Sequence, residues 1–110
     1  MPITINNVAQ PTGESRNVLG HGELEWYRWR VWVDEPREKL DEIKSVEYLL
    51  HPTFPVPKKV ATDREHQFEL IGSGWGQFWI AATIIFNNFQ EETVRHYLDF
   101  NKQGVVPERS

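Results

Sequence analysis

Apolar and polar side chains alternate at period two through most of this 110-residue chain. That pattern buries one face only when the backbone is extended, so it confines the fold to strands. In WYRWRVWV (26–33), Tyr27, Trp29, Val31 and Val33 share one face, while Trp26, Arg28, Arg30 and Trp32 share the other. FWIAATIIF (78–86) sets Phe78, Ile80, Ala82, Ile84 and Phe86 on one long apolar face. SVEYLL does the same with Val46, Tyr48 and Leu50, and TVRHYLDF with Val94, His96, Leu98 and Phe100. Ile3 with Ile5 and Phe68 with Leu70 mark shorter extended pieces. REKLDEIKSV places Leu40 and Ile43 at helical spacing, but it is short and highly charged. It reads equally as a turn of helix or as a loop entering the next strand. Several strands separated by Pro-, Gly- and Asn-bearing turns predict one antiparallel β-sandwich domain over residues 1–103. QPTGESRN (10–17) is expected to be a loop, and GVVPERS (104–110) a C-terminal tail leaving the domain.

The core of such a domain is within reach of this length because the chain carries five Trp, six Phe and three Tyr. It has no cysteine, which excludes disulfides and thiolate metal sites. The N-terminus MPITINNVAQ has neither a basic start nor a long apolar stretch, so no signal peptide is expected. No apolar run approaches membrane-spanning length. These features predict a soluble, cytoplasmic protein. A formal net charge of −4 argues against binding nucleic-acid phosphates, which needs a basic surface.

Two stretches interrupt the strand pattern. LLHPTF (49–54) ends an apolar run in His51, Pro52, Thr53 and Phe54, and the continuation PTFPVP brackets Phe54 with prolines. Prolines restrict the backbone and hold such a ring at low entropic cost. The ring is then either a lid on the core or a surface presented to a ligand. GSGWGQF (72–78) flanks Trp75 with Gly74 and Gly76 and ends at Phe78. It reads either as a tight turn with a core tryptophan or as an indole platform with accessible backbone N–H groups. Both stretches border strands, so a sandwich could bring them to one end. Phe54 and Trp75 would then be aromatic walls, with the Thr53 hydroxyl oriented by His51. Such a slot suits a flat, neutral, amide-bearing ligand.

The order W-x-V-x-V at Trp29–Val33, V-x-Y-x-L-H-P-T-F-P-x-P at Val46–Pro57 and F-x-L-x-x-x-G-W-G-x-F-x-I at Phe68–Ile80 resembles the YEATS domain family. Its wording is closest to the prokaryotic branch. The resemblance implies an immunoglobulin-like β-sandwich and, as in the eukaryotic branch, a reader of acylated lysine carried by a peptide or protein. Carried over by motif, Phe54 and Trp75 are the sandwiching rings and Thr53 is the hydroxyl. His51 supports that hydroxyl, Gly74, Trp75 and Gly76 form the backbone side of the slot, and Phe78 closes its base. The extra aromatic that eukaryotic members carry before the first core strand has only Trp26 as a possible counterpart.

No catalytic, cofactor or metal site is expected. The serines form no nucleophile elbow, and His21, His51, His66 and His96 lack metal-ligand spacing. GSGWG lacks the Lys-Ser/Thr ending of a phosphate loop. His96 falls on an apolar strand face and is expected to be a satisfied core histidine or a strand-end residue. Two alternative readings remain open. One is a carbohydrate-binding sandwich using Trp32 or Trp79 as stacking surfaces. The other is an interaction or scaffold domain of a prokaryotic signalling or defence system.

Overall fold

A computed structural model describes residues 2–109. Seven strands form two antiparallel sheets. The first has the order β1 (Ile5–Val18), β2 (Gly22–Val33), β5 (Leu70–Gly74). The second has the order β4 (Lys58–Ala61), β3 (Ile43–Leu49), β6 (Trp79–Phe86), β7 (Glu91–Tyr97). The inward faces carry the residues that the alternation selected. Trp29, Val31 and Val33 from β2 are buried with Val46 and Tyr48 from β3 and Ile80, Ala82 and Ile84 from β6. This is the expected antiparallel β-sandwich, with a core of apolar side chains between two sheets.

REKL forms a single helical turn, α1 (Arg37–Leu40), which buries only Leu40 before β3 begins. A 3-10 turn at Arg64–His66 leads into Gln67 and Phe68, both in the left-handed region at φ 59° and 54°. Bonds on both sides hold this unusual backbone. Phe68 N–H donates to the Asp63 carbonyl at 2.9 Å, and the buried Tyr48 hydroxyl donates to the Phe68 carbonyl at 2.6 Å.

Two expectations are corrected. Residues 10–17 are not a loop; β1 continues through them to Val18 with a register irregularity between Pro11 and Ser15. Pro11 is tolerated because β1 is an edge strand, where a missing N–H costs no ladder bond. Gly13 supplies the left-handed turn of the irregularity at φ 79°, and the Thr12 hydroxyl bridges it by donating to the Trp26 carbonyl at 2.7 Å. Nor does the segment from Gly104 leave the domain. Gly104 N–H donates to the Ala9 carbonyl at 3.0 Å, and Val106 is buried with its N–H on Gln10 Oε1 at 2.9 Å. The Arg28 guanidinium donates to the carbonyls of Val106 and Pro107, and Arg109 grips Glu69. A single parallel bridge, Ala9 with Gln103, pairs this segment to the outer edge of β1, and beyond it the side chains of Gln10 and Arg28 satisfy the backbone.

The two sheets are also joined by polar contacts. Buried Asn7 on β1 accepts Nε2–H of His96 at 2.7 Å and N–H of Asp99 at 3.2 Å. Its own Nδ2 donates to the Asp99 carbonyl at 3.0 Å. Burial, and secondarily the Lys102 charge, hold the His96 imidazole below its usual value against the pull of Asp99. His96 is thus a half-buried, hydrogen-bonded structural histidine.

Candidate functional site

Register places three connections at one end of the sandwich. β3 runs antiparallel to β6 with Leu49 opposite Ala81, so the end of β3 lies beside the start of β6. The loops 50–57 and 75–78 therefore emerge together. β2 pairs with β5 from Val31–Leu70 to Tyr27–Gly74, so the part of β2 before Tyr27 extends past the end of β5. The β1–β2 hairpin accordingly projects beyond the same end, with pairing kept to Val18–Gly22.

These connections enclose a cavity of about 690 Å³. His51, Thr53 and Phe54 line it from one loop, and Gly74, Trp75, Gly76 and Phe78 from the other. Every residue assigned to the slot from sequence is therefore in one cavity, and Trp26 reaches it too. The floor is aromatic. Phe54 and Phe78 lie 5.4 Å apart, and each meets the buried Trp29 ring edge-on at 6.4 and 6.3 Å. Phe54 rests against the core and also lines the cavity, so lid and presented ring are two sides of one residue. Trp75 is 40% exposed.

The polar part of the site is a short relay. His51 Nδ1 lies 2.9 Å from Thr53 Oγ1 and accepts the Thr53 backbone N–H at 3.3 Å. Because Nδ1 accepts that N–H, it is an acceptor, and the Thr53 hydroxyl hydrogen turns toward it. The lone pairs of Oγ1 are then left to accept a further donor. Across the cavity, the backbone N–H groups of Trp75 and Gly76 lie beyond the last β2–β5 pair at Gly74. Loop 75–78 is pinned from behind: Phe100 N–H donates to Gln77 Oε1 at 2.7 Å, and Leu98 N–H donates to the Phe78 carbonyl at 2.9 Å.

The glycines of this stretch do two different things. Neither Gly74 nor Gly76 has a positive φ, and a Cβ on either would meet nothing within 4 Å. They leave open space beside Trp75 rather than permitting a turn. Gly72 is the packed one. It stands opposite Trp29 in register, and a Cβ there would lie 2.5 Å from Trp29 Cζ2.

The hairpin tip was missed entirely. Val18, Leu19 and His21 line the cavity, and the His21 ring lies 4.9 Å from Trp75, tilted by 39°. Leu19 is 99% exposed. The only signal in the sequence was the glycine pair Gly20 and Gly22 around His21, just after the residues 10–17 expected to be a loop; both glycines take positive φ in the turn. Among the described residues, no cluster of three or more His, Asp or Glu could hold a metal ion, and no helix is long and apolar enough to cross a membrane.

A two-sheet antiparallel sandwich whose end loops border an aromatic, hydroxyl-bearing cavity defines a class of β-sandwich domains. The profile of the prokaryotic YEATS domain matches residues 27–99, and the chain belongs to that family. The AF-9 homolog of Eremothecium gossypii is 32% identical over 101 residues, covering 90% of this chain and 46% of that protein. Transcription initiation factor TFIID subunit 14b of Arabidopsis thaliana is 33% identical over 90 residues, covering 80% and 31%. The chain thus spans less than half the length of these relatives. Among solved structures, the yeast AF-9 homolog Yaf9 superposes with a TM-score of 0.69 at 27% identity, covering 89% of this chain and 66% of that one. The Yaf9 YEATS domain recognizing an H3K122suc peptide superposes with a TM-score of 0.67 at 23% identity, covering 91% and 78%. The fold is the immunoglobulin-like sandwich of these domains.

Proposed function

We propose that this domain is a non-catalytic reader of acylated lysine, without cofactor or metal, whose slot receives the acyl-amide between Phe54 and Trp75. The observation that carries the reading is the His51–Thr53 relay inside an aromatic cavity. With its hydrogen turned to His51, Thr53 Oγ1 accepts the side-chain amide N–H of the modified lysine. The amide carbonyl then takes a backbone N–H from Trp75 or Gly76. The rings of Phe54 and Trp75 cover the flat amide, and the acyl chain lies over Phe78. Unmodified lysine fits poorly, because an ammonium has no acceptor for the loop N–H groups and loses hydration among the rings. Yaf9 YEATS domains seen with H3K122suc and H3K27ac peptides support this chemistry in the family. The partner here is an acylated peptide or protein segment, met in the cytoplasm.

Titration of the protein with peptides carrying unmodified, acetylated, crotonylated and trimethylated lysine, read by NMR, tests this. Saturable binding of the acylated forms alone is expected, abolished by Trp75→Ala with the fold intact. Thr53→Ala is expected to weaken it about fivefold, the worth of one buried hydrogen bond near 1 kcal/mol. Equal binding of all peptides, or none, sinks the reading. Absence of binding by a folded protein would instead favour an interaction domain, and sensitivity at Trp79 to oligosaccharides a sugar-binding one.

A further inference from the structure

The wall formed by His51, Gln77 and Phe78 has a second side. The same residues border a groove of about 450 Å³ on the outer face of the β4–β3–β6–β7 sheet. Its floor is Ala81, a small residue paired with Leu49 on one side and Arg95 on the other. Leu49 rises on one flank and Trp79 with Tyr97 on the other, their rings 5.4 Å apart. Trp79 is 57% exposed and Leu49 is 53% exposed. The Arg95 guanidinium lies 5.4 Å from the centre of the Trp79 ring. It forms no ion pair with any described residue, and it is the only Lys, Arg, Asp or Glu lining the groove. The other basic residue near this face, Lys58, is neutralised by Glu47 at 2.7 Å.

We infer that this groove holds the chain flanking the modified lysine, and that it selects an acidic, apolar-containing segment rather than a basic one. The inference rests on the acyl-lysine reading of the adjoining slot. A modified lysine seated in that slot leaves its backbone at the shared rim. A neighbouring apolar side chain then settles over Ala81 between Leu49 and Trp79, and a carboxylate meets Arg95. The Trp79 ring holds the guanidinium in place on its face, so little side-chain entropy is lost when the carboxylate arrives. A basic flank would meet an uncompensated guanidinium instead. The selection is local and runs against the protein's overall charge of −4, which on its own favours basic partners.

The test uses three acetyl-lysine peptides of equal length, with Glu-Leu, Ser-Leu or Arg-Leu on both sides of the modified residue. They are titrated into the wild-type domain, Arg95→Glu, Arg95→Gln and Trp79→Ala, with circular dichroism to check folding. The expected result is that the ratio of acidic- to basic-flank affinity falls about threefold or more in Arg95→Gln and further in Arg95→Glu. It should also shrink as salt is raised. Trp79→Ala should weaken all three peptides and reduce their discrimination. Acetyl-dependent binding whose flank preference is the same in wild type and Arg95→Glu overturns the inference and leaves the reader function standing. Binding of none of the three peptides overturns both.

Discussion

A methyl group added to Gly72 would collide with Trp29, whose ring is the edge-on neighbour of both Phe54 and Phe78. The same methyl on Gly74 or Gly76 would project into open space on the wall of the cavity. Gly72→Ala should therefore lower stability by about 1–3 kcal/mol, the usual cost of overpacking a filled core. Gly74→Ala should leave the melting temperature unchanged while narrowing the slot and weakening acyl-peptide binding. Paired thermal melts and peptide titrations check both, and a Gly74→Ala protein that melts early would contradict the account. That His51, Thr53, Phe54, Trp75 and Phe78 meet at one end of the sandwich was legible beforehand, because each motif is contiguous and borders a strand. His21 was not, because its place beside Trp75 depends on how far the β1–β2 pairing runs. That length is set by an irregularity built on Pro11, Thr12 and Gly13, which has the composition of a loop.

At the scale of elements, the segment 104–109 is held by Gln10, Arg28 and Glu69, the last gripping Arg109 from the segment itself. Glu69 accepts Arg109 through both carboxylate oxygens at 2.8 Å and Arg30 at 2.6 Å. The Arg109 guanidinium, aided by Arg30 and opposed by partial burial, holds the Glu69 carboxyl at about 2, against an ordinary 4.5. A lowered folded value means the stabilisation is complete above about 4.5 and is lost as pH falls toward about 2. After allowance for the exposure of Arg109, its size is on the order of 1 kcal/mol. Urea unfolding at pH 6 and pH 3 should show this loss in the wild type and a smaller one in Glu69→Gln. An identical pH dependence in the two proteins would exclude the clasp as its source. Residues 104–110 read as a tail because Gly104 and Pro107 suit neither a helix nor a central strand. The partners that keep the segment down lie far back in the chain, at Gln10, Arg28 and Glu69, where no local pattern points to them.

Across the whole molecule, alternation was enough to assign the inward faces, because a one-residue slip would have turned Trp29, Val31 and Val33 to water. It carried no information on how the sheets are fastened. Part of that fastening is Asn7, a buried polar residue with three hydrogen bonds to His96 and Asp99. Asn7→Ala should cost about 2 kcal/mol or more in chemical denaturation, since it strands the Asp99 N–H and the His96 ring in a half-buried place. The open space beside Gly74 and Gly76 bears on the history of such a domain. A cavity wall with neither backbone strain nor packing to protect can accept larger residues without first acquiring compensating changes elsewhere. In a lineage under selection for a new modification, ligand preference can drift at these two positions while the sandwich stays as it is. Divergence in what these domains recognise is therefore expected to run ahead of divergence in their fold.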